Sequence, residues 1–189
     1  MTIVNQPTVV MAMIVFGVVC TSTAHAGDWS ELVEVRHELK RCISYRARLN
    51  GQFLMIEATH EPGWHTNAMD NRQRAEEKLA GRRSLGVDRP SEIDLIEGLK
   101  REGPWYQSPP KDFSKPELRW FSWGFEGQAL FVAKVRPSSA GPARIAVRGQ
   151  ACSESTCRNI DLEISLPLGN TSAVSEVPDI DLKALIQVR

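Results

Sequence analysis

The cleanest alternation in the chain lies in its last third, where Ile160, Leu162, Ile164 and Leu166 interleave with Asp161, Glu163 and Ser165. A period of two marks a strand with one face in a core. Residues 144–150 behave alike, with Ile145 and Val147 on one face and Arg144 and Arg148 on the other. Residues 33–48 read as a strand mixing β-branched, charged and aromatic positions. Asn50-Gly51 then supplies two residues that tolerate positive φ, predicting a hairpin into a strand over 53–59. Residues 118–125 and 128–135 flank Glu126-Gly127 as another hairpin, and residues 137–142 turn into the strand that starts at Arg144.

One segment follows a helical pattern instead. Asp70 is placed to cap a short helix over 72–79, with Gly81 as its stop. The stretch 82–115, rich in Pro and Gly, reads as loops with short strands around 93–99. About seven short strands separated by turn signals predict an all-β chain, an immunoglobulin-like β-sandwich with one short helix inserted.

The N-terminus changes the picture of where such a sandwich works. Residues 1–26 contain no Lys, Arg, Asp or Glu, carry an apolar run over 9–20, and close on Ala24-His25-Ala26. That is the pattern of a cleaved secretory signal, and its run is shorter than the roughly 20 residues that cross a bilayer. The expected division is a signal peptide over 1–26, one domain over 27–168 and a C-terminal tail over 169–189. The chain has 23 basic and 23 acidic residues and no net charge. Such a balance argues against nucleic acid or an anionic membrane as partner. No later segment is apolar enough to span a membrane once the signal is removed.

Candidate chemistry centres on the cysteines, of which there are four. Cys20 falls in the signal. Cys42, in the first strand, reads as a small buried apolar residue, with intermolecular pairing as the sharper alternative. Cys152 and Cys157 stand at the mouth of a predicted hairpin. Opposed residues there have Cα atoms about 4.5–5.5 Å apart, a separation that a disulfide accepts. Closing so short a loop adds only about 2 kcal/mol of stability in the chain-entropy model. Arg158, with Arg148 not far away, would favour a thiolate at Cys157, and Glu154 would oppose it. An exchange centre and a plain staple both remain open at this point.

Other chemistries find less support. His37, His60 and His65 lack metal-ligand spacing and no C-x-x-C accompanies them, so no metal site is expected. No nucleophile triad, phosphate loop or paired-carboxylate site stands out, and no cofactor is expected. Trp64, Trp105, Trp120, Trp123 and Phe125 read mainly as core. One or two of them, or Tyr106 or Phe113, are available to shield a disulfide or line a partner surface.

Two stretches carry a family resemblance: Glu61-Pro62-Gly63-Trp64-His65-Thr66, and Gly149-Gln150-Ala151-Cys152 through Cys157 with the strand ending Leu166-Pro167-Leu168. Together, over roughly residues 30–168, the chain resembles the periplasmic N-terminal domain of the thiol:disulfide interchange protein DsbD and its relatives. That resemblance implies an immunoglobulin-like sandwich whose redox-active pair is Cys152 and Cys157, the second attacking and the first resolving. It implies periplasmic thiol proteins as partners, with a thioredoxin-like donor or acceptor acting in trans. Many relatives carry Pro-Pro after the second cysteine, where this chain has Arg158-Asn159. The alternative expectation is a secreted immunoglobulin-like binding module whose disulfide is purely structural.

Overall fold

The computed structural model describes residues 28–83, 88–168 and 180–188. The expected signal segment over 1–26, with Cys20, lies outside the described residues. The described chain forms strands β1 (Val33–His37), β2 (Lys40–Asn50), β3 (Phe53–His60), β4 (His65–Asn67), β5 (Glu92–Glu97) and β6 (Leu99–Gln107). They continue with β7 (Lys111–Asp112), β8 (Trp123–Phe125), β9 (Gln128–Pro137), β10 (Ala143–Cys152), β11 (Cys157–Leu166) and β12 (Ile186–Gln187). Among the described residues one α-helix, α1 (Asn71–Leu79), follows β4.

These strands build two antiparallel sheets, an immunoglobulin-like β-sandwich. One runs in the order β1-β2-β3-β9-β6-β12 and the other β11-β10-β4-β8-β7, with β5 also paired to β10. Alternation along each strand decides which side chains meet between them. Leu54, Ile56 and Ala58 of β3 and Phe131 and Ala133 of β9 face Ile145 and Val147 of β10 and Ile160 and Ile164 of β11 in one buried cluster. Phe125 and Phe131 meet edge to face at 5.5 Å in the middle of that core. Aromatic contacts of this geometry add to simple area burial.

Several expected elements take a different form. Residues 33–48 are not one strand: Glu38 and Leu39 both adopt positive φ (48° and 66°) and turn β1 back onto β2. A two-residue turn of this hand matches the twist of the flanking strands even without Asn or Gly. The stretch 82–115 holds β6, a nine-residue strand between β9 and β12, where loops were expected. Gly103-Pro104 disguises it, because the proline falls where the ladder to β9 skips between Arg101 and Trp105; proline in a sheet is tolerated at such irregularities.

Residues 118–125 shorten to β8, since Pro116–Leu118 forms a 3-10 turn. Glu126-Gly127 does not close a hairpin. β8 pairs with β4 and β7 whereas β9 pairs with β3 and β6, so the chain crosses between sheets there. Asp70 precedes α1 but makes no side-chain cap. Its Oδ1 accepts instead from Arg74 Nε and Gln107 Nε2, both at 2.8 Å, which ties the helix to β6. Beyond residue 168, β12 pairs with β6, and Val188 N donates to Trp105 O at 2.9 Å.

Candidate site at the end of the β10–β11 hairpin

β10 and β11 pair without a break over their full length, from Ala143 against Leu166 to Cys152 against Cys157. The loop Ser153-Glu154-Ser155-Thr156 closes the hairpin, with Ser153 N donating to Thr156 O at 2.8 Å. Cys152 and Cys157 are thus the last opposed pair, and they form a disulfide with Cα atoms 4.0 Å apart. The two ends of the bond differ in access. Cys152 is 4% exposed, whereas Cys157 is an exposed residue.

Sheet pleating separates the groups around the bond into two faces. Ile160 points into the sandwich, so Arg158 and its opposed residue Ala151 share that inner face. Cys152 and Cys157 therefore point to the outer face. On its other side β10 meets β4, pairing Ala151 with Thr66 and Cys152 with His65. His65 consequently stands beside Cys152 on the outer face, with Thr66 turned inward.

The outer-face neighbour is shaped by packing. The His65 ring stacks at a tilt on Phe113, with centroids 5.0 Å apart. Burial holds the His65 pKa below the usual histidine value, against the opposing pull of Asp88 and Glu126. Both carboxylates have partners: Trp120 Nε1 donates to Asp88 Oδ2 at 2.8 Å, and Lys111 Nζ to Glu126 Oε2 at 2.9 Å.

Behind the ladder lies a buried polar contact. His60 Nδ1 is 2.8 Å from Gly127 O, and His60 Nε2 is 2.8 Å from Thr66 Oγ1. A carbonyl only accepts, so Nδ1 carries the proton and the Thr66 hydroxyl donates to Nε2. Burial lowers the His60 pKa, which keeps the ring neutral. Close by, Gly124 of β8 has no room for a side chain, since a Cβ there would sit 2.1 Å from Thr66 O.

The arginines expected to favour a thiolate are placed elsewhere. Arg158 turns to the inner face, where its Nε donates to His37 Nδ1 at 2.8 Å, with Trp64 edge-on to His37 at 6.0 Å. Arg148 bonds Asp94 at 2.6 Å. Glu154 sits in the exposed loop. Cys42 is buried and carries a free thiol, raised in pKa by burial. It has no opposed residue in β1, because the ladder skips from Val35–Ile43 to Arg36–Arg41. Trp105, Trp123 and Phe125 are core residues, as read from the sequence, while Trp120 is 37% exposed. Among the described residues, no group of three or more His, Cys, Asp or Glu is arranged to hold a metal ion.

No protein-family model matches the chain, and no curated protein is similar to it in sequence. Among solved structures, the N-terminal periplasmic domain of ScsB from Proteus mirabilis superposes with a TM-score of 0.53. The two share a fold. Identity with the ScsB domain is 14%, and the match covers 76% of this chain and 52% of that one, so the chain spans about half of the ScsB structure. The DsbD N-terminal domain from Neisseria meningitidis, solved in its reduced form, gives a TM-score of 0.43 at 13% identity, covering 67% of this chain and 84% of that one. Beyond the sandwich shared with the ScsB domain, the chemistry rests on this chain's own residues.

Sequence reasoning found the cysteine pair and named Phe113 among its candidate shields, but did not place His65 beside Cys152. His65 was visible as part of the Gly63-Trp64-His65 element and as a histidine without metal-ligand spacing, and nothing local to either segment tells that β4 lies beside β10. The stacking of Phe113 on His65 is equally non-local.

Proposed function

We propose that this chain is an exported thiol-disulfide exchange module that passes electrons between periplasmic thiol proteins through Cys152 and Cys157. The observation that carries the reading is the unequal access to one short-loop disulfide: Cys157 is exposed and Cys152 is buried. Exchange needs one sulfur that a partner can touch and a second that acts only within the molecule. In the reduced state the Cys157 thiolate attacks a partner disulfide, forming a mixed disulfide and releasing one partner thiolate. Cys152 then attacks Cys157, restoring the internal bond and releasing the second. Two electrons leave the pair and reduce the partner.

Other features support this reading. The fold shared with a periplasmic domain of ScsB agrees with export through the segment 1–26. A loop of this size contributes only about 2 kcal/mol to folding, so opening it costs the sandwich little.

The test is the reduction potential of the pair in a Cys42→Ala background, equilibrated against glutathione or dithiothreitol. A value between about −180 and −270 mV, the span of exchange proteins, is the expected result. A value below about −300 mV, typical of structural bonds, overturns the reading in favour of a disulfide-stapled binding module.

A further inference from the structure

The exchange scheme leaves one proton unaccounted for. Cys152 must become a thiolate to resolve the mixed disulfide, yet it is 4% exposed. Desolvation disfavours a charged sulfur, so a buried thiol at neutral pH stays protonated unless a neighbour takes its proton. Arg158 and Arg148, expected to act on Cys157, bond His37 and Asp94.

His65 is the group placed to do so. It is directly opposed to Cys152 across the β4–β10 ladder. Opposed residues carry Cβ atoms about 4.5–5.5 Å apart on one face, within the reach of an imidazole towards a thiol. Phe113 packs at a tilt on the ring, with centroids 5.0 Å apart. From the register, the stacking and the burial of Cys152, we infer that His65 is the general base that deprotonates Cys152 in the resolving step. The inference rests on the exchange reading above and names the group that moves its proton.

The step balances as follows. Cys152 Sγ gives its proton to the unprotonated ring nitrogen of His65. The resulting thiolate attacks Cys157 Sγ, and the Cys152–Cys157 bond forms as the bond between Cys157 and the partner breaks. The partner sulfur leaves with the electron pair, and the imidazolium returns the proton to it.

For this role His65 must be neutral at the start, and its surroundings act in that sense. Burial is the largest influence and lowers its pKa; Asp88 and Glu126 raise it, each already bonded to Trp120 or Lys111. His60, held neutral within the core, is the other titratable ring close by.

The experiment uses Ellman's reagent as probe on the reduced Cys42→Ala protein, at one equivalent, in stopped flow. Attack by Cys157 releases a first thionitrobenzoate in a phase that scales with reagent concentration; resolution by Cys152 releases a second in a phase that does not. His65→Gln and His65→Phe, the latter preserving a ring against Phe113, should slow the second phase about 100-fold or more at neutral pH. Both should leave the first phase within about two-fold, as expected for a group acting on Cys152 alone. The deficit should close as pH rises and Cys152 ionises unaided, a profile that a merely structural residue would not produce. A second phase unchanged in rate and pH profile in both variants overturns the role of His65 and leaves the exchange reading standing. A wild-type pair that stays oxidised in dithiothreitol overturns both.

Discussion

At the scale of single residues, protonation links the site to stability. His60 is neutral in the folded state because burial outweighs its bond to the Gly127 carbonyl, so its folded pKa lies below its unfolded value near 6.5. Above about pH 6.5 neither state binds the proton, and the contribution of the neutral ring is fully present. Below it the unfolded chain takes up a proton that the folded one refuses, so stability falls by up to about 1.4 kcal/mol per pH unit until the folded pKa is passed. Urea unfolding from pH 8 to 5 should show this slope, and His60→Gln should be less stable at pH 8 yet flatter below 6.5. An unchanged slope would place the acid sensitivity elsewhere. Residue by residue, the sequence made the cysteine pair legible because both members lie in one hairpin. The alternation that sets Ile160 inward also sets the face of Arg158, but the sequence could not reveal its partner His37, 121 residues away.

Among the elements, legibility tracked how local each signal was. Asn50-Gly51 does form a hairpin, Asn50 opposing Phe53 with Gly51 at φ +56°, and the strands at 144–150 and 160–166 stand where their alternation placed them. Glu126-Gly127 carries the same kind of turn signal and marks a crossover instead, because sheet membership is decided by partners far along the chain. β6 escaped notice since its Gly103-Pro104 pair resembles a loop while its central place comes from β9 and β12. The β1–β2 turn went unseen for the opposite reason: Glu38-Leu39 is poor turn chemistry in a conformation that costs a non-glycine residue about 1–2 kcal/mol. Replacing the two by Asn-Gly should therefore stabilise the protein by about 1 kcal/mol, raising the thermal midpoint by about 2–4 °C. A fall in that midpoint would mean that Leu39, 91% exposed at the tip, is held by something other than the turn.

Across the whole molecule, the sandwich places its chemistry and its closure at different edges. β11, with Cys157, is the outermost strand of one sheet, and β1 and β2 pack against it from the other. β12 borders the far edge of the other sheet, beside β6. Removing residues 180–189 should expose the edge of β6, lower stability by about 1–3 kcal/mol and promote self-association, as uncovered edges do. The reduction potential of the cysteine pair should stay within about 15 mV, equivalent to under 1 kcal/mol for a two-electron couple. Denaturant midpoints together with redox titration would check both halves. A larger shift in potential would show that the two edges communicate.

The cysteine bond joins strands that the β10–β11 ladder already aligns along their whole length, and β10 is gripped from behind by β4 and β5. Cutting such a bond should change two sulfur atoms and leave the outline of the protein as it was. In the exchange role proposed above, a partner meeting this surface has no contour by which to tell a charged carrier from a spent one. Sorting must happen after contact, in whether a sulfur accepts or offers electrons, so futile encounters are frequent and brief affinity serves the carrier better than tight grip.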